Sequence, residues 1–224
     1  MSVIFVTGTD TGVGKTLISK ALVDYFVATG LQVSAMKPVA SGARKTPSGL
    51  RNEDAEILLN SINTPFSYAQ INPYVFEAPI APHIAAEENN CVVQIATLDK
   101  AFDVLASASD KVIVEGAGGW QVPLNQEVCF ADWVGEKQWP VVLVVGIRLG
   151  CINHALLTYL DILQKKNPLL GWIANMVDPE ASHVDENIEY LAKNIAAPLL
   201  GRIPFINQAD QQGITGYLQL SHLT

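Results

Sequence analysis

Near the start of the chain, Gly8-Thr-Asp-Thr-Gly-Val-Gly-Lys-Thr16 stands between a short apolar run, Val3 to Val6, and a helix-sized segment, Thr16 to Ala28. This placement constrains the fold more than any other feature. Glycines let the backbone curl until successive N–H groups converge on one anion. The first turn of the following helix adds unpaired donors and a partial positive charge. Lys15 then reaches the β and γ phosphates of a nucleotide, and the Thr16 hydroxyl reaches Mg²⁺. The common form of such a loop has four residues between its first glycine and Gly-Lys-Thr. Five separate Gly8 from Gly14 here, so the reading rests on the strand before the loop and the helix after it.

The same strand–turn–helix rhythm continues. Strands are expected at Gln32 to Met36, Lys111 to Glu115, Val141 to Val145, Leu170 to Met176 and Leu199 to Ile203. Helices are expected at Glu53 to Asn60, Ile95 to Ser107, Phe130 to Lys137, Ile152 to Lys165 and Asp185 to Ile195. The strand runs are continuously apolar rather than alternating, which suits strands buried on both faces of a parallel sheet. The expected fold is therefore α/β: a three-layer, P-loop NTPase-like domain with a mostly parallel central sheet flanked by helices and right-handed crossovers. No repeat, low-complexity segment or linker divides the chain, so 1–224 reads as one domain. Ala40 to Asn52, rich in Gly, Ser, Thr, Pro and Arg, reads as a long loop, either functional or a mobile connection.

Composition narrows the partners. The balance of 14 basic and 22 acidic residues, a net charge of −8, argues against general nucleic-acid binding. No apolar run is long enough to span a bilayer. The start of the chain carries no positive leader, and Cys91, Cys129 and Cys151 form neither a disulfide framework nor a zinc spacing. The expected location is the cytoplasm.

Further candidates lie at strand ends. Glu115 closes an apolar strand just before Gly116-Ala-Gly-Gly119 and supplies an oxygen ligand of the kind a phosphate-bridging metal needs. Gly116 and Gly118 do not complete a dinucleotide fingerprint, because Trp120 and Gln121 follow. Asp54 opens a predicted helix, where capping and metal binding are equally good readings. Asn175 ends the run Gly171-Trp-Ile-Ala-Asn and is either a turn residue or an adenine contact. One Cys and one His in Cys151-Ile-Asn-His154 make a poor zinc site. His83, His183 and His222 have no triad context, and Trp120, Trp133, Trp139 and Trp172 read as packing.

In order along the chain stand the phosphate loop, Lys37-Pro-Val-Ala-Ser41-Gly, Gly49-Leu-Arg-Asn-Glu-Asp54-Ala, Asn72-Pro-Tyr, Ala81-Pro-His, Val114-Glu-Gly-Ala-Gly-Gly-Trp120, Phe130-Ala-Asp-Trp, Val144-Val-Gly-Ile-Arg-Leu-Gly-Cys-Ile-Asn-His154 and Leu200-Gly-Arg-Ile-Pro204. Together these blocks resemble the dethiobiotin synthetases over nearly the whole chain. The resemblance implies joining CO₂ to 7,8-diaminopelargonic acid with ATP, through a carbamate and its mixed anhydride with phosphate. It also implies ATP contacts at Gly12, Val13, Gly14, Lys15, Thr16 and Leu17, at Asp54, at Glu115, Gly116, Ala117 and Gly118, at Asn175 and Met176, and at Pro204, Phe205 and Ile206. Mg²⁺ would fall to Thr16, Asp54 and Glu115. Lys37, Lys15 and Thr11 would act in catalysis. Ser41 and Lys37 would meet the substrate, and Leu149, Gly150, Cys151 and Asn153 would receive its carboxylate from the partner subunit of a homodimer. A tyrosine that relatives offer to that carboxylate is replaced near Asn187. Gly12 stands where relatives can have Glu.

A partition-type ATPase shares the fold and the loop, but not the Lys37–Ser41 and Cys151–His154 blocks. Such proteins often carry a basic face or an amphipathic membrane helix, and Gly213 to Thr224 has no lysine or arginine.

Overall fold

The computed structural model describes residues 1–206 and 213–223. Strand β1 (Ser2–Gly8) leads through the glycine loop into α1 (Lys15–Ala28) and β2 (Val33–Met36). A peripheral section follows: β3 (Val39–Ala40), β4 (Arg44–Thr46), β5 (Gly49–Arg51), α2 (Glu53–Ser61), α3 (Tyr68–Ile71), β6 (Tyr74–Val75) and α4 (Pro82–Glu88). The chain then returns to the sheet through α5 (Ile95–Ser107), β7 (Lys111–Glu115), α6 (Phe130–Glu136) and β8 (Val141–Ile147). It continues through α7 (Cys151–Gln164), β9 (Leu169–Met176), α8 (Val184–Asn194) and β10 (Leu199–Ile203), and 3₁₀ turns at Ile214–Tyr217 and Ser221–Leu223 follow.

Six strands form one sheet in the order β10-β9-β8-β1-β7-β2, and every pairing is parallel. The continuously apolar runs explain this. Every residue of β7 and β8 is buried, as a strand covered on both faces requires. Along β1 and β7, alternate residues serve opposite layers. Ile4, Val6 and Ile113 pack with α1 residues Ile18, Leu22 and Phe26. Phe5, Val112 and Val114 pack with Leu98 and Phe102 of α5 and Trp133 of α6. At the other end of the sheet Leu143, Val145 and Trp172 pack beneath α7 and α8. All four tryptophans are buried.

The expected strands and helices are present with ends shifted by a residue or two. The exception is the Ala40–Asn52 segment, which is no loop. Arg44, Lys45 and Thr46 pair antiparallel with Arg51, Leu50 and Gly49. Gly49 makes the turn at φ +96°, and the Thr46 hydroxyl donates to the Gly49 carbonyl at 2.7 Å. Arg44 reaches across to Glu56 on α2 at 2.6 Å. Strands of three residues are too short to show a period, which is why the run reads as loop. Among the described residues no helix is long and apolar enough to cross a membrane.

Candidate active site

Parallel strands present all their carboxyl ends at one edge, and an open sheet binds ligands there, where connections diverge to either side. Here β1 leads by α1 to one end of the sheet, while β8, β9 and β10 run to the other. The turn after β1 carries the glycine loop, and β7 ends in Glu115, followed by the turn Gly116 to Gly119. Lys37 follows β2, Asn175 lies near the end of β9 and Pro204 follows β10.

The glycine loop is held from below. The Val13 side chain is buried, and a Cβ at Gly8 or Gly146 would meet it at 2.5 or 2.8 Å. Gly14, at φ +93°, is the N-cap of α1. A Cβ on it would lie 2.2 Å from the Asn175 amide nitrogen, which donates to the Val13 carbonyl at 2.8 Å. Asp10 ties the loop sideways. It accepts from the Thr11 N–H at 2.7 Å and from Arg148 at 2.5 Å, and its carbonyl accepts from Lys15 at 3.0 Å. Burial, with the Lys37 ammonium close by, lowers Lys15 to about 8.

Lys37 joins this group from the opposite side. Its ammonium donates to Glu115 Oε1 at 2.5 Å, to Asp54 at 2.9 Å and to the Gly116 carbonyl at 3.3 Å. Burial alone would push Lys37 down, but the two carboxylates outweigh it and hold the ammonium above its ordinary value. Burial would likewise raise Asp54, yet the same pairing with Lys37 holds it below its ordinary value. The Thr16 hydroxyl also donates to Glu115 Oε1, at 2.8 Å. Glu115 Oε2, fully buried, has no hydrogen-bond partner among the described residues. Two carboxylates and a hydroxyl beside a phosphate-binding turn make a hard oxygen donor set that fits Mg²⁺. An orphaned buried carboxylate oxygen adds unused ligand capacity to that fit.

A cleft of about 950 Å³ opens over these groups. Thr11, Gly12, Lys15, Thr16, Lys37, Ser41 and Asp54 face it, and so do Leu17, Ala117 and Gly118. The Ser41 hydroxyl is buried with no partner among the described residues. The far wall comes from Pro79, Ile80, Ala81 and Pro82 with Val122 and Pro123, none of which stood out as chemistry in the sequence. Their one local signal is Pro82 in the first turn of α4, a position where proline is favoured. The Asp10–Arg148 pair was equally silent, because only the fold brings residues 138 apart into contact.

The remaining candidates lie outside the cleft. Asn175, nearly buried, and Met176 close β9 beside the loop, and Pro204 to Ile206 leave β10 with Phe205 about half exposed. Leu149 is 99% exposed, Gly150 caps α7 at φ +90° and Asn153 is exposed on its first turn. Cys151 is different: its side chain packs in the core with Ala155 and Leu143, leaving only its backbone for a ligand. Asn187, on α8, is half-buried.

Comparison with known proteins identifies the family and the fold. A family model described as an AAA domain matches residues 2–212. The chain is 47% identical over 220 residues to "ATP-dependent dethiobiotin synthetase BioD 1" of Salmonella typhi, covering 98% of this chain and 96% of that one. It is 46% identical over 224 residues to the Pseudomonas aeruginosa "ATP-dependent dethiobiotin synthetase BioD", covering 100% and 98%. Among solved structures, a ParA family ATPase from Chlorobium tepidum superposes with a TM-score of 0.56 at 16% identity, covering 100% of this chain and 91% of that one. The MinD cell division protein of Aquifex aeolicus superposes with a TM-score of 0.55 at 15% identity, covering 98% and 86%. At that identity these two speak for the fold alone.

Proposed function

The chain belongs to the ATP-dependent dethiobiotin synthetase family, and from that premise we propose how its residues carry the reaction. It is an ATP-dependent cyclo-ligase of biotin synthesis, joining CO₂ to 7,8-diaminopelargonic acid to give dethiobiotin, ADP and phosphate. One observation carries the assignment of roles: Lys37, a buried ammonium, faces the same cleft as Lys15 across the glycine loop.

One amine of the substrate takes up CO₂ as a carbamate. Its oxygen and the γ-phosphate are both anionic, and their approach costs Coulomb energy unless cations flank them. Lys15 sits where it reaches the phosphates and Lys37 where it faces both partners, so positive charge is in place where negative charge collects. Thr11 and Ser41, which both line the cleft, orient the substrate against Lys37, Ser41 with a buried hydroxyl that makes no hydrogen bond among the described residues. Thr16, Asp54 and Glu115 would hold Mg²⁺, which when bound neutralises charge on the phosphate oxygens. Gly12 to Leu17 and Gly116 to Gly118 hold the phosphates, while Asn175, Met176 and Pro204 to Ile206 hold the base. No side chain need act as a nucleophile, because the substrate supplies both amines.

The working unit in this reading is a cytoplasmic homodimer. Leu149 to Asn153 do not line the cleft of their own chain, and Asn153, Leu157 (61% exposed) and Leu160 (58% exposed) recur at helical steps as one stripe on α7. Pairing of two copies along that stripe would bring the first turn of each α7, at Ile152 and Asn153, to the carboxylate in the other cleft.

The test measures ADP release with diaminopelargonic acid, adding and withholding bicarbonate. Release that needs both is the expected result; release indifferent to both removes the assignment. Lys37→Ala should still bind nucleotide while turnover falls roughly 10²-fold or more, the scale of one lost transition-state charge contact.

A further inference from the structure

Between Lys37 and Asp54 runs a buried chain of hydrogen bonds to which no role has yet been given. The Asn52 N–H donates to the Tyr68 hydroxyl oxygen at 2.8 Å. The Tyr68 hydroxyl donates to Asn72 Oδ1 at 2.9 Å. The Asn72 amide donates to the Lys37 carbonyl at 2.7 Å and to the Tyr74 carbonyl at 2.9 Å. At its other end Asn52 caps α2, its Oδ1 accepting from the Ala55 N–H at 3.3 Å, and its amide donates to the Ser41 carbonyl at 3.2 Å. Asn52, Tyr68 and Asn72 are 8%, 8% and 2% exposed.

The chain meets the two site residues that lie outside the main sheet. Lys37 follows the end of β2, and its backbone is held on both sides: by Asn72 at the carbonyl and, at the N–H, by the Ile71 carbonyl at 2.8 Å. Asp54 stands in the first turn of α2, whose start is pinned by Asn52. The sheet itself holds Glu115. Lys37 and Asp54, by contrast, lie outside the main sheet, and the Tyr68 hydroxyl is the atom through which their supports are joined. The bonds run donor to acceptor in one direction from Asn52 to Lys37, an arrangement in which each bond polarises the next.

We propose that Tyr68 is a positioning residue that sets the separation of the Lys37 ammonium and the Asp54 carboxylate, and hence the geometry in which lysine and metal share the cleft. The inference rests on the roles given above to Lys37 and Asp54. Tyr68→Phe removes only the oxygen; the Arg51 guanidinium, 4.2 Å from the ring centroid, keeps its aromatic partner.

The experiment compares wild type, Tyr68→Phe and Leu191→Ala, the last destabilised from α8, in the core at the other end of the sheet. Mg²⁺ is titrated calorimetrically into each protein holding a non-hydrolysable ATP analogue, and kcat and both KM values are measured. Tyr68→Phe should raise the Mg²⁺ midpoint roughly tenfold, as loss of a ligand's outer support does. It should lower kcat by about tenfold or more with KM for ATP little changed, because a displacement of an ångström costs up to ~10²-fold. Leu191→Ala should lower the melting temperature and move neither reading. A wild-type midpoint and kcat in Tyr68→Phe overturn the inference. If Lys37→Ala also retains turnover, the site reading itself has failed; if Lys37→Ala is inactive, only the role of Tyr68 has. Should Tyr68→Phe not be recovered folded, Asn72→Ser cuts the same chain next to Lys37 and decides it by the same two readings.

Discussion

Replacing Lys37 by methionine isolates the electrostatics of the cleft floor. Methionine fills most of the space of the lysine stem, so the cavity cost is small. What goes is the ammonium 2.5 Å from Glu115 and 2.9 Å from Asp54. Glu115 has no exposure to water, and among the described residues its only other side-chain partner is the Thr16 hydroxyl, on Oε1. Removing one member of a buried pair leaves an uncompensated charge, which costs about 3–5 kcal/mol. Asp54 is 40% exposed in its side chain and adds little, since water screens it. For a chain of this size each kcal/mol moves the melting temperature about 2–4 °C, so the variant should melt roughly 10 °C lower. The double variant Lys37→Met, Glu115→Gln removes both charges and should recover most of that loss while remaining inactive. Thermal and urea unfolding followed by circular dichroism, without nucleotide and with a chelator, measures wild type, Lys37→Met, Glu115→Gln and the double variant. A single variant melting within about 2 °C of wild type would refute the reasoning, and so would a double variant whose loss is the sum of two single losses.

Three further outcomes follow from geometry already described. Gly14→Ala meets both a left-handed backbone at φ +93° and the Asn175 amide at 2.2 Å; at about 1–2 kcal/mol for the backbone alone, nucleotide affinity should fall at least tenfold by calorimetry. Unchanged affinity there would mean the loop rearranges freely. Arg148→Ala loosens Asp10 in a half-exposed pair, so ATP binding should weaken by no more than about fivefold, the ceiling for an exposed ion pair. Asp132 is lowered to about 2 by hydrogen bonds from the Cys129 thiol and N–H and from Lys165. Because its folded value is depressed, its stabilising contribution is present above about 4 and disappears as pH falls through about 2. The gap in urea midpoint between wild type and Asp132→Asn should therefore be small at pH 6 and close by pH 2; a gap that widens in acid contradicts the pairing.

How legible the molecule was depends on the range over which each feature is encoded. Lys111 to Glu115 is read correctly to the residue because burial on both faces leaves an unbroken apolar run. The glycine loop is legible for the same local reason, since its donors, its turn and its lysine lie together in the chain. Asp54 could not be decided locally, because a first-turn acid suits a helix dipole whether or not it ligates. Only the structure shows it bonded to Lys37. Pro79 to Pro82 and the Asn52–Tyr68–Asn72 chain carry no period, and although Asn52, Asn72, Ala81 and Pro82 fall in blocks of the resemblance, nothing local gives them a role. Their meaning lies in contacts across distant segments, which spacing does not encode. Cys151 marks the opposite limit: its block is specific, yet the thiol itself faces the core.

The bracing of the glycine loop has a consequence for how the protein is made. Gly8 to Thr16 leaves the ribosome early, but the amide that steadies Val13 belongs to a residue 162 positions later, and the carboxylate bonded to Thr16 comes 99 positions later. A nascent chain holding only the first strands and helices therefore lacks the side chains that shape its own phosphate cradle. Nucleotide capture is in effect a checkpoint on the completed sheet, and bound ATP should protect the ordering of β9 as strongly as it protects the loop.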